Sequence, residues 1–196
     1  MCTSDRTQQE RGMLGFSEGV RTNLGFLKQY GFREVDAEDT IIRYATERVF
    51  LNVYHGRSSY ELGIEVGLVA EMDKRGYPLG AFVRLTDPEE GARLRYFCAT
   101  TAEEVRTGLQ RLTAQVERYV KRALKGDETI FSELAQQQRE WAAAYVADLA
   151  YEQVSPKAAE AFREKRYGEA AKLYESIENR LSPAELTKLE YAKQHR

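Results

Sequence analysis

Tyr60-Glu61-Leu62-Gly63-Ile64-Glu65-Val66-Gly67-Leu68 alternates residue by residue: Tyr60, Leu62, Ile64, Val66 and Leu68 fall on one side, and Glu61, Gly63, Glu65 and Gly67 on the other. Successive side chains of a strand point to opposite faces, so the stretch predicts a strand from Tyr60 to Val69 with one apolar face and one of carboxylates and glycines. Toward the N-terminus the same period governs Phe32 to Asp36, Thr40 to Ala45 and Val49 to Tyr54. The separating segments, Ala37-Glu38-Asp39, Thr46-Glu47 and His55-Gly56-Arg57-Ser58, are of hairpin length. The four strands therefore predict an antiparallel meander.

Helical spacing frames this meander. Leu14, Val20, Leu24 and Leu27 predict an N-terminal helix closed at Tyr30-Gly31, with Gly15, Gly19 and Gly25 in it as points of close packing. Met72 to Pro78 predicts a turn, and Leu79 to Leu85 suits either a strand or a short helix. Thr101-Ala-Glu-Glu104 supplies an N-cap with glutamate at the third helical position, ahead of Val105, Leu109, Leu112, Val116 and Tyr119. Lys125-Gly126-Asp127 ends that helix and opens another, whose stripe is Ile130, Leu134, Trp141, Tyr145 and Leu149. The short connection predicts a long helical hairpin covering the apolar face of the sheet. Ser155-Pro156 then signals a further helix start, Arg166-Tyr167-Gly168 a turn, and Ser182-Pro183-Ala184-Glu185 a last capped helix. The fold class is α+β, read as a tail at residues 1–12, an α+β domain at 13–152 and a helical extension at 153–196.

Composition narrows the function. Acids and bases nearly balance, leaving a net charge of −2 and a pI near 5.9, which argues against nucleic acid as a partner. MCTSDRTQQE carries neither the basic start nor the apolar run of a secretory signal, and no stretch is apolar enough to span a bilayer. The expectation is a cytoplasmic protein without a membrane partner. Cys98, in the apolar run Tyr96-Phe97-Cys98-Ala99, is expected in the core and unpaired with Cys2.

The stretch AAEAFREKRYGEAAKLYESIENRLSP resembles a single tetratricopeptide repeat, with Ala158, Tyr167 in the turn, Ala170 where the helices cross, Tyr174, and Pro183 near the end. Since such repeats bury a continuous core only when about three are stacked, a single unit implies a helical cap on its neighbour. Residues Arg57 to Glu65 and the helix from Thr101 are similar in style to small bacterial proteins of immunity type, a resemblance that implies binding rather than catalysis.

Candidate chemistry is sparse. Glu61 and Glu65 share a strand face but stand about 13 Å apart at about 3.3 Å per residue, too far for a paired acid and base. His55, in the last hairpin turn, and His195, near the C-terminus, form no cluster. No metal-ligand spacing and no glycine-rich phosphate cradle occurs, so no cofactor is expected. Gly63 and Gly67 mark close approach of a helix, a ligand or a partner backbone to that face, or else a bulge or strong twist. The leading expectation is a non-catalytic protein-binding module, of immunity or adaptor type, presenting Tyr54, Arg57, Tyr60, Glu61 and Glu65 to a protein partner; a homo-oligomer is compatible with it. The alternative is an enzyme or small-molecule binder with a pocket between sheet and helices, where Glu61 or Glu65 joins His55 and a tyrosine.

Overall fold

The computed structural model describes residues 14–71 and 75–195. The tail expected over residues 1–12 lies outside them, as does part of the expected turn at Met72–Pro78. The chain divides into two compact units, the first ending at Ala135 and the second running over Gln136–Arg196.

The first unit is α+β. Strands β1 (Arg33–Glu38), β2 (Ile41–Ala45), β3 (Val49–His55) and β4 (Glu61–Leu68) form the antiparallel meander, with Ile42 opposite Val53 and Val53 opposite Ile64. Two strands of two residues each, β5 (Tyr77–Pro78) and β6 (Phe97–Cys98), pair with β4 and raise the sheet from the expected four strands to six. A two-residue strand is too short to leave an alternating pattern. β1 is the outer strand, exposed along its whole length, and its register slips between Glu34 and Asp36. Charges and a bulge of this kind discourage pairing with a foreign strand.

Helices cover one face of the sheet. The expected N-terminal helix is α1 (Phe16–Asn23), continued by a 3₁₀ segment over Gly25–Tyr30 and ended at Gly31, whose φ of 82° requires glycine. The undecided segment is a helix, α2 (Leu79–Thr86), followed by α3 (Pro88–Arg93). Helix α4 (Ala102–Tyr119) starts with the predicted capping box, in which the Glu104 N–H donates to Thr101 Oγ1 at 3.2 Å and Glu104 Oε2 accepts from the Thr101 N–H at 3.0 Å. Val20, Leu24, Phe82, Val105, Leu109 and Val116 pack with Ile42, Leu51, Val53, Leu62 and Val66 in one buried core. Each fully buried aliphatic side chain contributes about 1.5–3 kcal/mol. A Cβ on Gly19 would stand 2.8 Å from Leu109 Cδ1, so this glycine serves the close packing expected of it.

Of the expected helical hairpin, the first helix, α4, covers the sheet. After the short helix α5 (Lys121–Leu124) and Gly126, helix α6 (Thr129–Arg163) gives Ile130, Phe131 and Leu134 to the core, whereas Trp141, Tyr145 and Leu149 are exposed. α4 shares the apolar face of the sheet with α1 and α2. The helix start expected at Ser155-Pro156 is not made: α6 runs through both residues, and the Ser155 hydroxyl donates to Glu185 Oε1 at 2.7 Å instead of capping.

The second unit holds the rest of α6 together with α7 (Tyr167–Glu175) and α8 (Pro183–Gln194). Its core is small and alanine-rich, built from Ala158, Ala161, Ala170, Ala171, Tyr174, Leu189 and Ala192. The Ser182–Glu185 capping box predicted for α8 is present. Among the described residues no helix is long and apolar enough to cross a membrane.

Candidate functional site

The outer edge of β4 is only partly paired. β6 lies against Glu61 and Leu62, β5 against Glu65 and Val66, and between them Gly63 and Ile64 have no strand partner on that side among the described residues. The gap opens into a pocket of about 120 Å³. Leu62 and Ile64 from β4 and Leu112 from α4 supply apolar walls, the segment Leu94–Phe97 flanks one side, and Pro78-Leu79-Gly80 at the start of α2 flanks another.

Glycines make this geometry. A Cβ on Gly63 would fall 2.2 Å from Tyr54 Cζ and Oη, so the Tyr54 ring lies over Gly63 in the cross-strand pair. Likewise a Cβ on Gly67 would stand 2.7 Å from the Phe50 ring. At both glycines it is thus an aromatic ring of the neighbouring strand, and not the expected helix, ligand or partner backbone, that takes the space of the missing Cβ. On α4, a Cβ at Gly108 would stand 2.6 Å from the Phe97 ring and 2.7 Å from Leu62 Cδ1. That absence of a side chain lets the Leu94–Phe97 segment close down beside the pocket.

Polar groups converge on it. Burial pushes the Tyr54 hydroxyl up to about 12, with the carboxylates of Glu61 and Glu65 adding to the effect, so the phenol stays protonated at neutral pH and can donate a hydrogen bond to Glu61. Three arginines, Arg84, Arg95 and Arg111, line the pocket, with Glu61 as its one carboxylate among the described residues. Tyr96 lies at the mouth with 81% of its surface exposed. Arg84 reaches back along α2 until its guanidinium is 3.5 Å from where a Cβ on Gly80 would stand.

The residues predicted to form one patch are distributed differently. Tyr54, Glu61 and Glu65 share one face, where burial raises the Glu65 carboxyl against the opposing influence of Arg75 and Asn52. Asn52 in turn accepts from Arg43 Nε at 2.8 Å. This face is not an open, solvated one: Phe50 and Asn52 are buried, and Glu61 and Glu65 are half-buried. Tyr60 packs edge-on to His55 with ring centroids 5.7 Å apart, and Arg57, in the turn, pairs with Glu38 at 3.6 Å.

His55 is no turn residue. It ends β3, is 1% exposed, and its Nε2 donates to the Ala99 carbonyl at 2.8 Å. It ties β6's neighbourhood to the meander and does not line the pocket. Cys98, expected in the core, is exposed, and its neighbour Ala99 is the buried residue. Among the described residues no group of three or more His, Cys, Asp or Glu side chains could hold a metal ion.

Sequence reasoning missed the arginines of the pocket because they come from three separate segments. One signal was present. Gly108 interrupts the apolar stripe of a strongly capped helix, and a glycine there, about 1 kcal/mol worse than alanine in a helix interior, marks a place where something must come close. No family profile, curated protein or solved structure matches this chain.

Proposed function

We propose that the chain is a small-molecule-binding protein whose site is the pocket at the broken edge of β4. The observation that carries this reading is that apolar walls from Leu62, Ile64 and Leu112 meet polar groups from Tyr54, Glu61 and the arginines in one concave place. Ligand sites combine an apolar lining with a few polar groups in this way. The size favours a small ligand: about 120 Å³ is close to the roughly 150 Å³ of a cavity that accepts benzene. Replacing Leu112 with tryptophan fills the space from the partly buried face of α4. Small apolar fragments are expected to raise the melting temperature of the wild type and leave that of Leu112→Trp unchanged; fragments that shift both equally, or neither, refute the reading.

A second reading, protein binding, has its own support in the second unit. Trp141, Tyr145 and Leu149 recur at four-residue spacing on α6, and with Val146 they are 50%, 65%, 38% and 64% exposed. Two copies of α6 packed antiparallel would present this stripe to each other, since a twofold interface uses one patch twice. The tetratricopeptide-like and immunity-type resemblances belong to this reading; the complete burial of Ala158 and Ala170 where the second unit packs supports the former. Sedimentation velocity tests it: a dimer that Trp141→Gln/Tyr145→Gln dissociates supports it, and a wild type monomeric at tens of micromolar counts against it.

A further inference from the structure

We infer that the ligand of the β4-edge pocket is a small carboxylic acid, its carboxylate held by Arg111 and Arg84 and its apolar body resting on Leu62, Ile64 and Leu112. The inference rests on the small-molecule reading above and names the chemistry of its ligand.

Charge is the first argument. Among the described residues that line the pocket, three arginines stand against one glutamate, in a chain whose net charge is −2. Several arginines elsewhere sit beside acids: Arg21 bonds Glu34 at 2.8 Å, Arg106 bonds Glu103 at 2.6 Å, and Arg122 bonds both Asp127 and Glu133. Arg111 makes no ion pair or hydrogen bond with any described residue, although Glu61 lines the same pocket. The Tyr54 hydroxyl, which stays protonated at neutral pH, is a hydrogen-bond donor beside Glu61. Arg95 turns to its own backbone, donating to the Leu94 carbonyl at 3.1 Å.

The start of α2 lies beside that charge. This helix has Pro78 at its N-cap and no side chain capping it, and Pro78, Leu79 and Gly80 at its start line the pocket. The Arg84 guanidinium beside Gly80 stands over the same turn. Planar guanidinium forks match a carboxylate in two parallel hydrogen bonds. The apolar walls and the small volume favour an acid with a short hydrocarbon body over a fully hydrated dianion such as phosphate.

Calorimetry and amide NMR on the full chain test this with acetate, isobutyrate and benzoate against acetamide, isobutyramide and benzamide, with inorganic phosphate alongside. The acids are expected to bind at least tenfold more tightly than their amides, to move the amide resonances of Gly80 and Gly108, and to weaken as salt is added. Arg111→Gln, an exposed position whose fold is checked by circular dichroism, is expected to weaken the acids about tenfold and leave the amides unchanged. Arg84→Gln is expected to act in the same direction. Amides binding as tightly as acids, or acids indifferent to both variants, overturn the carboxylate assignment while leaving a small-molecule pocket in place. Phosphate binding more tightly than every carboxylate also overturns it. Failure of all seven probes at millimolar concentration overturns the assignment and the pocket reading together.

Discussion

Replacing Glu185 with alanine is expected to loosen the second unit selectively. The carboxylate accepts from the Ser182 N–H at 2.9 Å and the Ser182 hydroxyl at 2.6 Å, closing the capping box of α8, and from Ser155 Oγ at 2.7 Å and the Tyr151 hydroxyl at 3.1 Å, both on α6. Loss of a helix cap costs about 1 kcal/mol. Hydrogen bonds to a charged acceptor contribute about 1.5–3 kcal/mol each, a range to be discounted here because the site is half-exposed. The expected loss is about 2–4 kcal/mol, a large share of what an alanine-rich core of this size can supply. Hydrogen exchange of the amides in Pro183–Gln194 reads it, with fluorescence of the single tryptophan, Trp141, as a second probe in the same unit. Exchange should rise by one to three orders of magnitude in α8 and stay unchanged in β2–β4.

The pH dependence has a definite sign. Burial alone would raise the Glu185 pKa, but the hydrogen bonds from Ser182, Ser155 and Tyr151 together lower it to about 2. A depressed carboxylate contributes stability that is present above its unfolded value of about 4.3 and is lost as pH falls toward about 2. The wild type should therefore lose α8 protection across that window, whereas Glu185→Ala should show little further loss there. Protection in α8 that survives the substitution, or falls in parallel with pH in both proteins, refutes the reasoning.

Tyr54 should titrate spectroscopically at about 12; because its folded value lies above the unfolded value of about 10, its stabilising contribution is complete below pH 10 and lost as pH rises through 12. A phenol that ionises with the exposed tyrosines would contradict its burial over Gly63. Gly63→Val is expected to cost about 1–3 kcal/mol, since its Cβ would occupy the place of the Tyr54 ring 2.2 Å away, and denaturant midpoints will show it. His55→Ala leaves the Ala99 carbonyl without its donor in a buried place and should cost about 1–3 kcal/mol or more, with β6 losing exchange protection first. Cys98 should be alkylated in the native state, as peptide mapping would reveal; protection until denaturant is added would restore it to the core.

The amino-acid order by itself determined whatever depends on neighbours within a few residues. The alternation of Leu62, Ile64 and Val66 put them on the buried face, and the pairs Thr101–Glu104 and Ser182–Glu185 became capping boxes where they were expected. Hairpin-length turns specified the meander and its antiparallel order. Periodicity could not say whether the opposite face of β4 is open. Tertiary structure laid Tyr54 over Gly63 and Phe50 over Gly67, so that Glu61 and Glu65 are half-buried rather than solvated.

Periodicity also assigned Trp141, Tyr145 and Leu149 to a covering helix, because an apolar stripe looks the same whether or not a partner surface remains for it. The sheet's apolar face is packed by α1, α2, α4 and the first turns of α6, and the stripe farther along α6 is exposed. Above all, only the tertiary structure decided the pocket. It needs two strands too short to leave a pattern, and arginines 84, 95 and 111 brought together from α2, a connecting segment and α4. Local preferences act within a turn or a hairpin, whereas a pocket is defined by which edges are left unpaired after everything else has packed.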